Sequence, residues 1–362
     1  FGLLSCESWS TMSSRSRLCM FLVHAFLLFV MSASVFADQP NRVIASCDEQ
    51  QQVIYGPNYH GLNYFPDEPV CLLSKVPFRC FIVSGNATVL MQGQTPEAAK
   101  PLRSVLVPGG TNDFDNGYAG ITSVYSAGKA KALCGFYHAE DHVGMPKVSY
   151  NSDVHGAYWS IGLAVSRDNG NTFTKVGQII RSSVSKQNVT KEHQGVGDVC
   201  VIPEASNTWL YAYYTDLSRR KEDQRATIAM ARCRTTQAAR RDSWFKYFNG
   251  DFKQRGLGGN ESAVVTPPED FPSEVFAPHV TYLPIWKKYI MVCNVLAFAD
   301  FDRRVAEKSG IYFCHSEDGI NWSKLEPLVV GLPIPLQDKE YIAHPSLFVE
   351  NATDTKSSGY LL

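Results

Sequence analysis

Three consecutive segments of the chain decide its fold class: Asp198-Val-Cys-Val-Ile-Pro203, Trp209-Leu-Tyr-Ala-Tyr-Tyr214 and Ala226-Thr-Ile-Ala-Met-Ala-Arg232. Each is a short run of β-branched, aromatic and small apolar residues, and polar, turn-forming residues separate the runs. The same pattern continues on both sides, and almost no stretch shows the 3.6-residue apolar period of an amphipathic helix. The sequence therefore predicts an all-β protein.

The runs recur in a fixed order: an inner-type strand opened by an acidic or histidine residue, a strand rich in aromatics, and an outward strand followed by a turn. The opening residues Asp115, Asp198, Glu274 and His344 follow one another at steps of 83, 76 and 70 residues. This period suits four-stranded propeller blades with long loops, whereas a sandwich would give strands without the recurrence. We therefore predict one β-propeller domain over residues 38–362, with its last blade truncated. The alternative is that strands near residues 70–91 complete the ring.

The charge balance argues against a nucleic-acid partner. The chain has 362 residues, with 34 Lys and Arg against 35 Asp and Glu, so its formal net charge is -1. Nucleic-acid affinity depends on clustered excess positive charge. No phosphate-binding Walker loop or dinucleotide-binding glycine motif occurs either, which argues against a nucleotide-binding role.

The N-terminal segment predicts export. Arg15 and Arg17 precede an apolar run over residues 18–30, and small residues follow up to Ala37. This is the pattern of a secretory signal peptide with its cleavage site. The alternative, a transmembrane anchor, needs about 20 apolar residues, and this run is shorter. We predict that residues 1–37 comprise upstream sequence and the signal peptide, and that the product is secreted or periplasmic, with no membrane association after cleavage.

Eight cysteines follow residue 38, an even number that would allow pairing. None of them has the Cys-x-x-Cys spacing of a zinc site, so we predict no cysteine-based metal site. Five lie inside apolar runs, which favours buried small hydrophobic residues over disulfides: Cys134, Cys200, Cys233, Cys293 and Cys314.

Two outward turns carry a recognisable pattern. Ser166-Arg-Asp168-Asn-Gly170-Asn-Thr-Phe173 resembles the Asp-box of sialidases and related propellers, and the segment 316–322 resembles its shorter relative. In such turns the Asp accepts backbone N–H bonds, the Gly takes a positive φ and the terminal aromatic packs under the hairpin. We therefore expect both turns to be structural and to lie away from the central channel.

At the openings of the inner-type strands the chain resembles the five-bladed propeller glycosidases of the arabinanase and xylosidase type, glycoside hydrolase family 43 and its clan. The resemblance covers roughly residues 113–348 and lies in strand layout rather than in long identical motifs. It implies a five-bladed propeller with an Asp base, an Asp that tunes and orients, and a Glu acid, and the matching positions are Asp115, Asp198 and Glu274. The family places its Glu two residues before the Pro of the third strand, where this chain has Phe276.

Other polar and aromatic residues near these openings are candidates for substrate binding. The segment from Phe136 to His142 is the densest polar cluster in the chain, and it could line the cleft, hold a Ca²⁺ or Zn²⁺ ion, or be a solvated loop. Histidines beside a Pro at a strand opening suit the channel, and aromatic rings stack on sugar faces. The predicted substrate-binding residues are Tyr118, His138, Glu140, Trp159, His279 and His344.

Two classes of function fit these residues. The first is a secreted glycoside hydrolase that acts on an oligo- or polysaccharide, because glycosidic cleavage needs a proton-donating carboxylic acid and a second carboxylate. It requires no cofactor, although a structural Ca²⁺ is compatible with it. The second is a non-catalytic carbohydrate-binding propeller, which the displaced Glu274 favours. A sialidase-like hydrolase ranks below both, because no Arg-Ile-Pro motif follows the predicted cleavage site.

Overall fold

The computed structural model describes residues 28–39, 42–55, 67–127, 132–148, 151–218, 224–299, 305–331, 343–353 and 356–361. The regular structure of this part is almost entirely β-strand, as the sequence predicts. Its helices are four single 3₁₀ turns: Lys186–Asn188, Thr235–Gln237, Arg241–Ser243 and Ala306–Lys308. None of these is long or apolar enough to cross a membrane.

The strands have the following bounds: β1 Leu28–Gln39, β2 Arg42–Tyr55, β3 Cys71–Lys75, β4 Phe78–Ser84, β5 Ala87–Gly93, β6 Lys100–Leu106, β7 Tyr118–Ala127, β8 Ala132–Asp141, β9 Lys147–Val148, β10 Asn151–His155, β11 Ala157–Ser166, β12 Thr174–Arg181, β13 His193–Pro203, β14 Trp209–Leu217, β15 Thr227–Arg234, β16 Phe245–Phe248, β17 Asp251–Arg255, β18 Ala263–Val265, β19 Ser273–Leu283, β20 Lys288–Ala297, β21 Gly310–Ser316, β22 Glu326–Val330, β23 Leu347–Ala352 and β24 Lys356–Leu361.

Antiparallel pairing divides these strands into five groups of four. The groups are β3-β4-β5-β6, β7-β8-β11-β12, β13-β14-β15-β16, β19-β20-β21-β22 and β23-β24-β1-β2. We call them blades 1 to 5 in that order, and we call the first strand of each its inner strand. The strands β9 and β10 form a hairpin inserted in blade 2, while β17 and β18 extend blade 3.

Two details of the predicted layout are wrong. Strands β3 to β6 form a complete blade that precedes the first predicted blade. The segment near residues 70–91 therefore does not complete the last blade, as the alternative prediction had it. The last predicted copy, β23 and β24, is not left with an open edge, because β1 runs antiparallel to β24 from Met31 opposite Leu361 to Phe36 opposite Lys356. The N-terminal strands β1 and β2 thus supply the outer half of blade 5.

Five hydrophobic cores lie between neighbouring blades and close the blades into a ring. Phe81 and Tyr137 meet between blades 1 and 2, and further cores lie between blades 2 and 3, 3 and 4, and 4 and 5. Between blades 5 and 1, Phe348 packs against the core around Val70, and the Val70 N–H donates to the Ser346 hydroxyl at 2.8 Å. The fold is a five-bladed β-propeller.

Because each blade packs against two neighbours, its strands are apolar on both faces. In β14, for example, Leu210, Ala212 and Tyr214 face the core shared with blade 2, while Tyr211 and Tyr213 face the core shared with blade 4. Strands buried on both faces read as continuous apolar runs rather than as an alternation of apolar and polar residues. This is why the runs stand out in the sequence.

The turn between β11 and β12 has the hydrogen bonds expected from its sequence. Asp168 Oδ1 accepts the Thr172 N–H at 2.9 Å, and Gly170 has a φ of 81°. Phe173 packs edge-on against Phe81 of blade 1, with ring centroids 5.5 Å apart. The turn is therefore a local structure that docks onto the preceding blade.

The turn between β21 and β22 repeats this arrangement. Asp318 Oδ1 accepts the N–H groups of Ile320 and Asn321, both at 2.8 Å. Trp322 packs edge-on against Tyr213 of blade 3, with centroids 5.6 Å apart. Both turns follow the third strand of their blade, at the end remote from the opening of the inner strand, since successive strands run antiparallel.

The strand β1 overlaps the segment predicted to be a signal peptide. Its backbone from Leu28 to Gln39 lies between β2 and β24, so cleavage after Ala37 would remove most of the strand. Cleavage and export stay predictions from the sequence. The five cysteines predicted to be buried hydrophobic residues are all buried thiols.

Candidate active site

The openings of the inner strands have a common backbone geometry that aims side chains into the channel. Asp198, Ala277 and His344 occupy corresponding places in blades 3, 4 and 5, and all three have a positive φ, at 46°, 51° and 57°. A positive φ is uncommon for residues other than glycine, and in β13 and β19 it coincides with a β-bulge. Bulges redirect side chains, so these openings present Asp198 and His344 to one shared site.

His138, on the second strand of blade 2, is the centre of this site. Its Nδ1 lies 3.1 Å from Glu68 Oε1 and 3.1 Å from Asp198 Oδ1, and its Nε2 lies 3.5 Å from Glu140 Oε1. Its side chain is only 3% exposed. One imidazole thus contacts carboxylates that come from blades 1, 2 and 3.

Two aromatic rings and two glycines make room for this imidazole and orient it. The rings of Tyr118 and Trp159 meet His138 edge-on, with centroids 5.5 and 5.0 Å away. A Cβ at Gly197 would lie 2.6 Å from the His138 ring, and a Cβ at Gly120 would lie 2.8 Å from the Tyr118 ring. Any larger residue at these two positions would displace the rings.

Asp198 is held by two blades at once. Its Oδ2 accepts the Thr215 hydroxyl at 2.7 Å, and the Thr215 oxygen accepts the Ala277 N–H of blade 4 at 2.9 Å. Since the Ala277 amide can only donate, the Thr215 proton has to point at Asp198. The carboxylate is therefore fixed between His138 on one side and Thr215 on the other.

The open side of the cluster is formed by Glu140, His142, Asp67 and His344. Glu140 Oε2 lies 2.6 Å from His142 Nε2, and Asp67 Oδ1 lies 3.9 Å from His344 Nε2. The side chain of Asp67 is 40% exposed and that of Glu140 is 19% exposed, against 2% for Glu68. Asp67 and Glu140 are therefore the carboxylates most accessible to a ligand.

The carboxyl groups of blade 1 have raised pKa values. Desolvation by burial is the largest cause: it raises the pKa of the buried Glu68 to about 7, and it acts in the same direction on the partly exposed Asp67. The nearby charge of Glu140 acts in the same direction on both groups. The opposing charges of His344 on Asp67 and of His138 on Glu68 do not cancel the effect.

Glu140 and Asp198 have the opposite shift. Burial alone would raise their pKa values, but hydrogen bonds from His138, joined by His142 at Glu140 and Thr215 at Asp198, hold both pKa values below the ordinary range. For His138, burial would lower the pKa, but the charge of Glu68 and the hydrogen bonds to the three carboxylates raise it well above its usual value. The cluster thus holds, around one imidazole, carboxyl groups whose pKa values are shifted in opposite directions.

Three members of the cluster could also hold a divalent cation. Glu68, Asp198 and His344 each offer one ligand atom, and these atoms lie within 4.8 Å of one another. The second carboxylate oxygen of Glu68 and the Nδ1 of His344 are buried without a described hydrogen-bond partner, so both atoms are available to coordinate an ion. One nitrogen and two carboxylates suit Zn²⁺ or Mn²⁺ better than Ca²⁺, which prefers oxygen ligands. A bound ion would supply positive charge and orient a water or a sugar hydroxyl.

Six of the nine predicted site residues come together in this cluster. They are Tyr118, His138, Glu140, Trp159, Asp198 and His344.

Asp115 lies elsewhere, contrary to the prediction of a catalytic base. It is fully buried, its Oδ2 lies 2.6 Å from Lys175 Nζ, and it accepts the Tyr137 hydroxyl at 3.0 Å. Tyr137 and His138 are consecutive residues of β8, so their side chains lie on opposite faces of the strand. Asp115 therefore belongs to the interface of blades 1 and 2.

Glu274 and His279 also differ from the expectation. Glu274 is half-buried at the start of β19, opposite Leu296, and it is not among the charges that dominate the pKa values of the cluster. His279 accepts the Leu347 N–H at 3.2 Å and packs on Phe348, and burial lowers its pKa to about 4. A neutral histidine with these contacts joins blades 4 and 5, so it is not a substrate contact.

The sequence reasoning missed Asp67 and Glu68. Their signal was present, because Glu68-Pro69 precedes an inner strand as His344-Pro345 does. The predicted series of openings begins one blade later, at Asp115.

No protein-family model and no curated protein sequence matches the chain. Among solved structures, a glycoside hydrolase is similar over 97% of this chain and 96% of its own length, with a TM-score of 0.52 and 12% identity. An α-L-arabinofuranosidase from Lactobacillus brevis is similar over 81% of this chain and 82% of its own length, with a TM-score of 0.50 and 11% identity. The chain therefore shares the fold of these two enzymes, and its own blades show that this fold is a five-bladed β-propeller.

Proposed function

We propose that the chain is a glycoside hydrolase that cleaves O-glycosidic bonds of an oligo- or polysaccharide at the channel cluster. The observation that carries the proposal is the convergence of Asp67, Glu68, Glu140 and Asp198 around His138. Carboxylates repel one another when buried together. A cluster of this kind suits chemistry that needs one protonated and one ionised carboxyl group.

Accessibility divides the four carboxylates into two pairs. Asp67 and Glu140 retain exposed surface, whereas Glu68 and Asp198 are 2% and 4% exposed. Asp67 and Glu140 therefore contact the substrate in our proposal. Glu68 and Asp198 act on them through His138 and through their own charge.

The roles of the accessible pair follow from their surroundings. The raised pKa of Asp67 lets it hold a proton at higher pH than an ordinary aspartate, and in our proposal it donates that proton to the leaving glycosidic oxygen. Glu140 is ionised beside His138 and His142, and it accepts a proton from water or attacks the anomeric carbon. Trp159, which is partly exposed, provides an aromatic surface for a sugar ring.

The charges of the cluster favour a neutral sugar. The described partners of its four carboxylates are histidines and Thr215. A sialic or uronic acid needs cationic partners for its own carboxylate, which arginine supplies best. We therefore place sialidase chemistry below the hydrolysis of neutral glycosides.

One observation favours the second candidate, a carbohydrate-binding propeller without hydrolysis. The opening of blade 4 contributes Ala277 and, one residue earlier, Phe276, where the resembling family has its acid. The remaining cluster would still provide hydrogen-bonding groups for sugar hydroxyls. Binding with no turnover would then be the outcome.

The experiment that separates these candidates uses the full chain with neutral chromogenic glycosides, neutral polysaccharides and a sialoside. The matched variants are Asp67→Asn and Glu140→Gln, and Asp113→Asn, an exposed loop aspartate, is the control. Hydrolysis of a neutral glycoside that both cluster variants lose and the control keeps would support the proposal. Calorimetric binding by the wild type without any turnover would instead support the binding propeller.

A further inference from the structure

We propose that His138 is a positioning residue that fixes the carboxylates of three blades in one arrangement, rather than a residue that binds substrate. The inference rests on the proposed function, because it assigns a role within the same cluster. It departs from the sequence prediction, which placed His138 among the sugar contacts. Its basis is the contacts of this histidine, its packing and its lack of exposure.

The contacts of His138 connect three blades of the propeller. Nδ1 faces Glu68 of blade 1 and Asp198 of blade 3, and Nε2 faces Glu140 of its own blade. These three carboxylates have no described ion pair with Lys or Arg, and the other described partner of Glu140 is His142. His138 is therefore the contact that Glu68, Glu140 and Asp198 share, although Asp198 is 60 residues away from it in the chain.

The packing of the imidazole sets its orientation independently of the carboxylates. Tyr118 and Trp159 hold it edge-on, and Tyr118 is itself anchored by donating its hydroxyl to the Asp67 carbonyl at 2.7 Å. Gly197 of blade 3 lies directly against the imidazole, because a Cβ at this position would be 2.6 Å from the ring. A ring fixed by packing can impose positions on the carboxylates, whereas a mobile one would follow them.

A substrate cannot replace these contacts, because His138 is 3% exposed and lies behind Glu140, which is 19% exposed. Its influence on a ligand therefore passes through the carboxylates. Loss of this shared contact leaves buried polar groups without their partner, which is destabilising. Displacement of a catalytic group by about 1 Å reduces turnover by about 100-fold.

The test combines kinetics with a stability cycle on the full chain, using His138→Gln, Glu68→Gln and the double variant. In the neutral-glycoside assay we expect His138→Gln to lower kcat by about 100-fold while KM changes by less than about threefold. A residue that binds the sugar directly would instead raise KM.

The stability cycle does not depend on activity. His138→Gln should lower the Tm, and adding Glu68→Gln should cost less than it does in the wild type, because the two side chains are partners in one buried contact. The matched control is His279→Gln, a half-buried histidine between blades 4 and 5 whose described contacts are Leu347 and Phe348. Its effect on the Tm should add to that of Glu68→Gln, as expected for residues that share no partner.

Additive Tm changes for His138→Gln and Glu68→Gln would overturn the positioning role, as would a kcat of His138→Gln equal to that of the wild type. If the wild type hydrolyses no glycoside, the proposed function fails. The Tm cycle alone then decides whether His138 holds the cluster together.

Discussion

The two turns that resemble Asp-boxes and the channel cluster both contain aspartates, but the aspartates have opposite surroundings. Asp168 is exposed and bonds to Ser166 and Thr172, within four residues of itself, so a seven-residue segment satisfies it. Asp198 is buried, and its partners His138 and Thr215 are 60 and 17 residues away. An aspartate whose hydrogen-bond partners all lie in its own turn has a structural role. An aspartate whose partners come from several blades indicates a candidate site.

The electrostatics support the same distinction. The Thr172 hydroxyl and N–H lower the pKa of Asp168 to about 2, and no charged partner is involved. In the cluster, by contrast, the pKa values depend on neighbouring charges from other blades. A change at the turn should therefore affect one hairpin, while a change in the cluster should affect function throughout the site.

The largest effect should come from Asp67→Asn, which removes the proposed proton donor. General acid catalysis contributes roughly 100- to 10,000-fold to the rate, so we expect kcat/KM on a neutral glycoside to fall by about 1,000-fold. The Tm should change by only a few degrees, since the side chain is partly exposed. Steady-state kinetics with thermal melts measure both. A variant that keeps more than a tenth of the wild-type rate would remove Asp67 from the mechanism.

The next effect distinguishes the structure from the sequence prediction. Asp115→Asn breaks the buried contact with Lys175 and weakens the bond from Tyr137, and we expect a loss of about 2 kcal/mol in the free energy of unfolding. Urea denaturation measures this loss. The activity per folded molecule should be retained, and its disappearance would return Asp115 to the catalytic set.

A smaller effect should follow from Arg79→Ala. The Arg79 guanidinium of blade 1 donates to the Asn169 carbonyl at 3.0 Å and to Asn171 Oδ1 at 3.2 Å, which ties the first Asp-box turn to that blade. We expect a loss of about 1.5 kcal/mol, since hydrogen bonds to charged groups contribute about 1.5–3 kcal/mol. The second turn, which Tyr213 binds through the Gly319 carbonyl, is the internal comparison. Equal hydrogen-exchange protection of the first turn in variant and wild type would contradict this docking role.

The smallest effect should be that of Asp168→Ala. It deletes local hydrogen bonds of an exposed side chain, so we expect a loss of about 0.5–1 kcal/mol and unchanged kinetics. The same substitution at Asp318 should behave alike, and chemical denaturation of both variants provides the measurement. A loss of activity in either one would mean that the turns communicate with the channel.

Much of the fold and part of the site could be predicted from the sequence. The apolar runs and their recurrence predicted the propeller, because strands between two blades are apolar on both faces. The openings of the inner strands identified Asp198 and His344, and the densest polar segment identified His138 and Glu140. These signals are local, so a single sequence carries them.

The remaining part depends on long-range packing. In the sequence, Asp115 and Asp198 look alike, because both stand near glycines and before apolar residues. In the structure, Asp115 contacts Tyr137 on one face of β8 and has a structural role, whereas Asp198 contacts His138 on the other face and belongs to the candidate site. Asp67 and Glu68 can be assigned to the candidate site only from their contacts with His344 and His138, which lie in other blades. The pairing of β1 with β24 joins residues more than 300 positions apart, which no local pattern indicates.

The most direct test of the central claim is a crystal structure of the full chain with a neutral oligosaccharide, using Asp67→Asn to prevent turnover. The account predicts that a sugar ring lies at the channel end of the inner strands, with a glycosidic oxygen within hydrogen-bonding distance of residue 67 and of Glu140. A sugar bound only at the Asp-box turns or on the outer strands, with the channel cluster uncontacted, would contradict it.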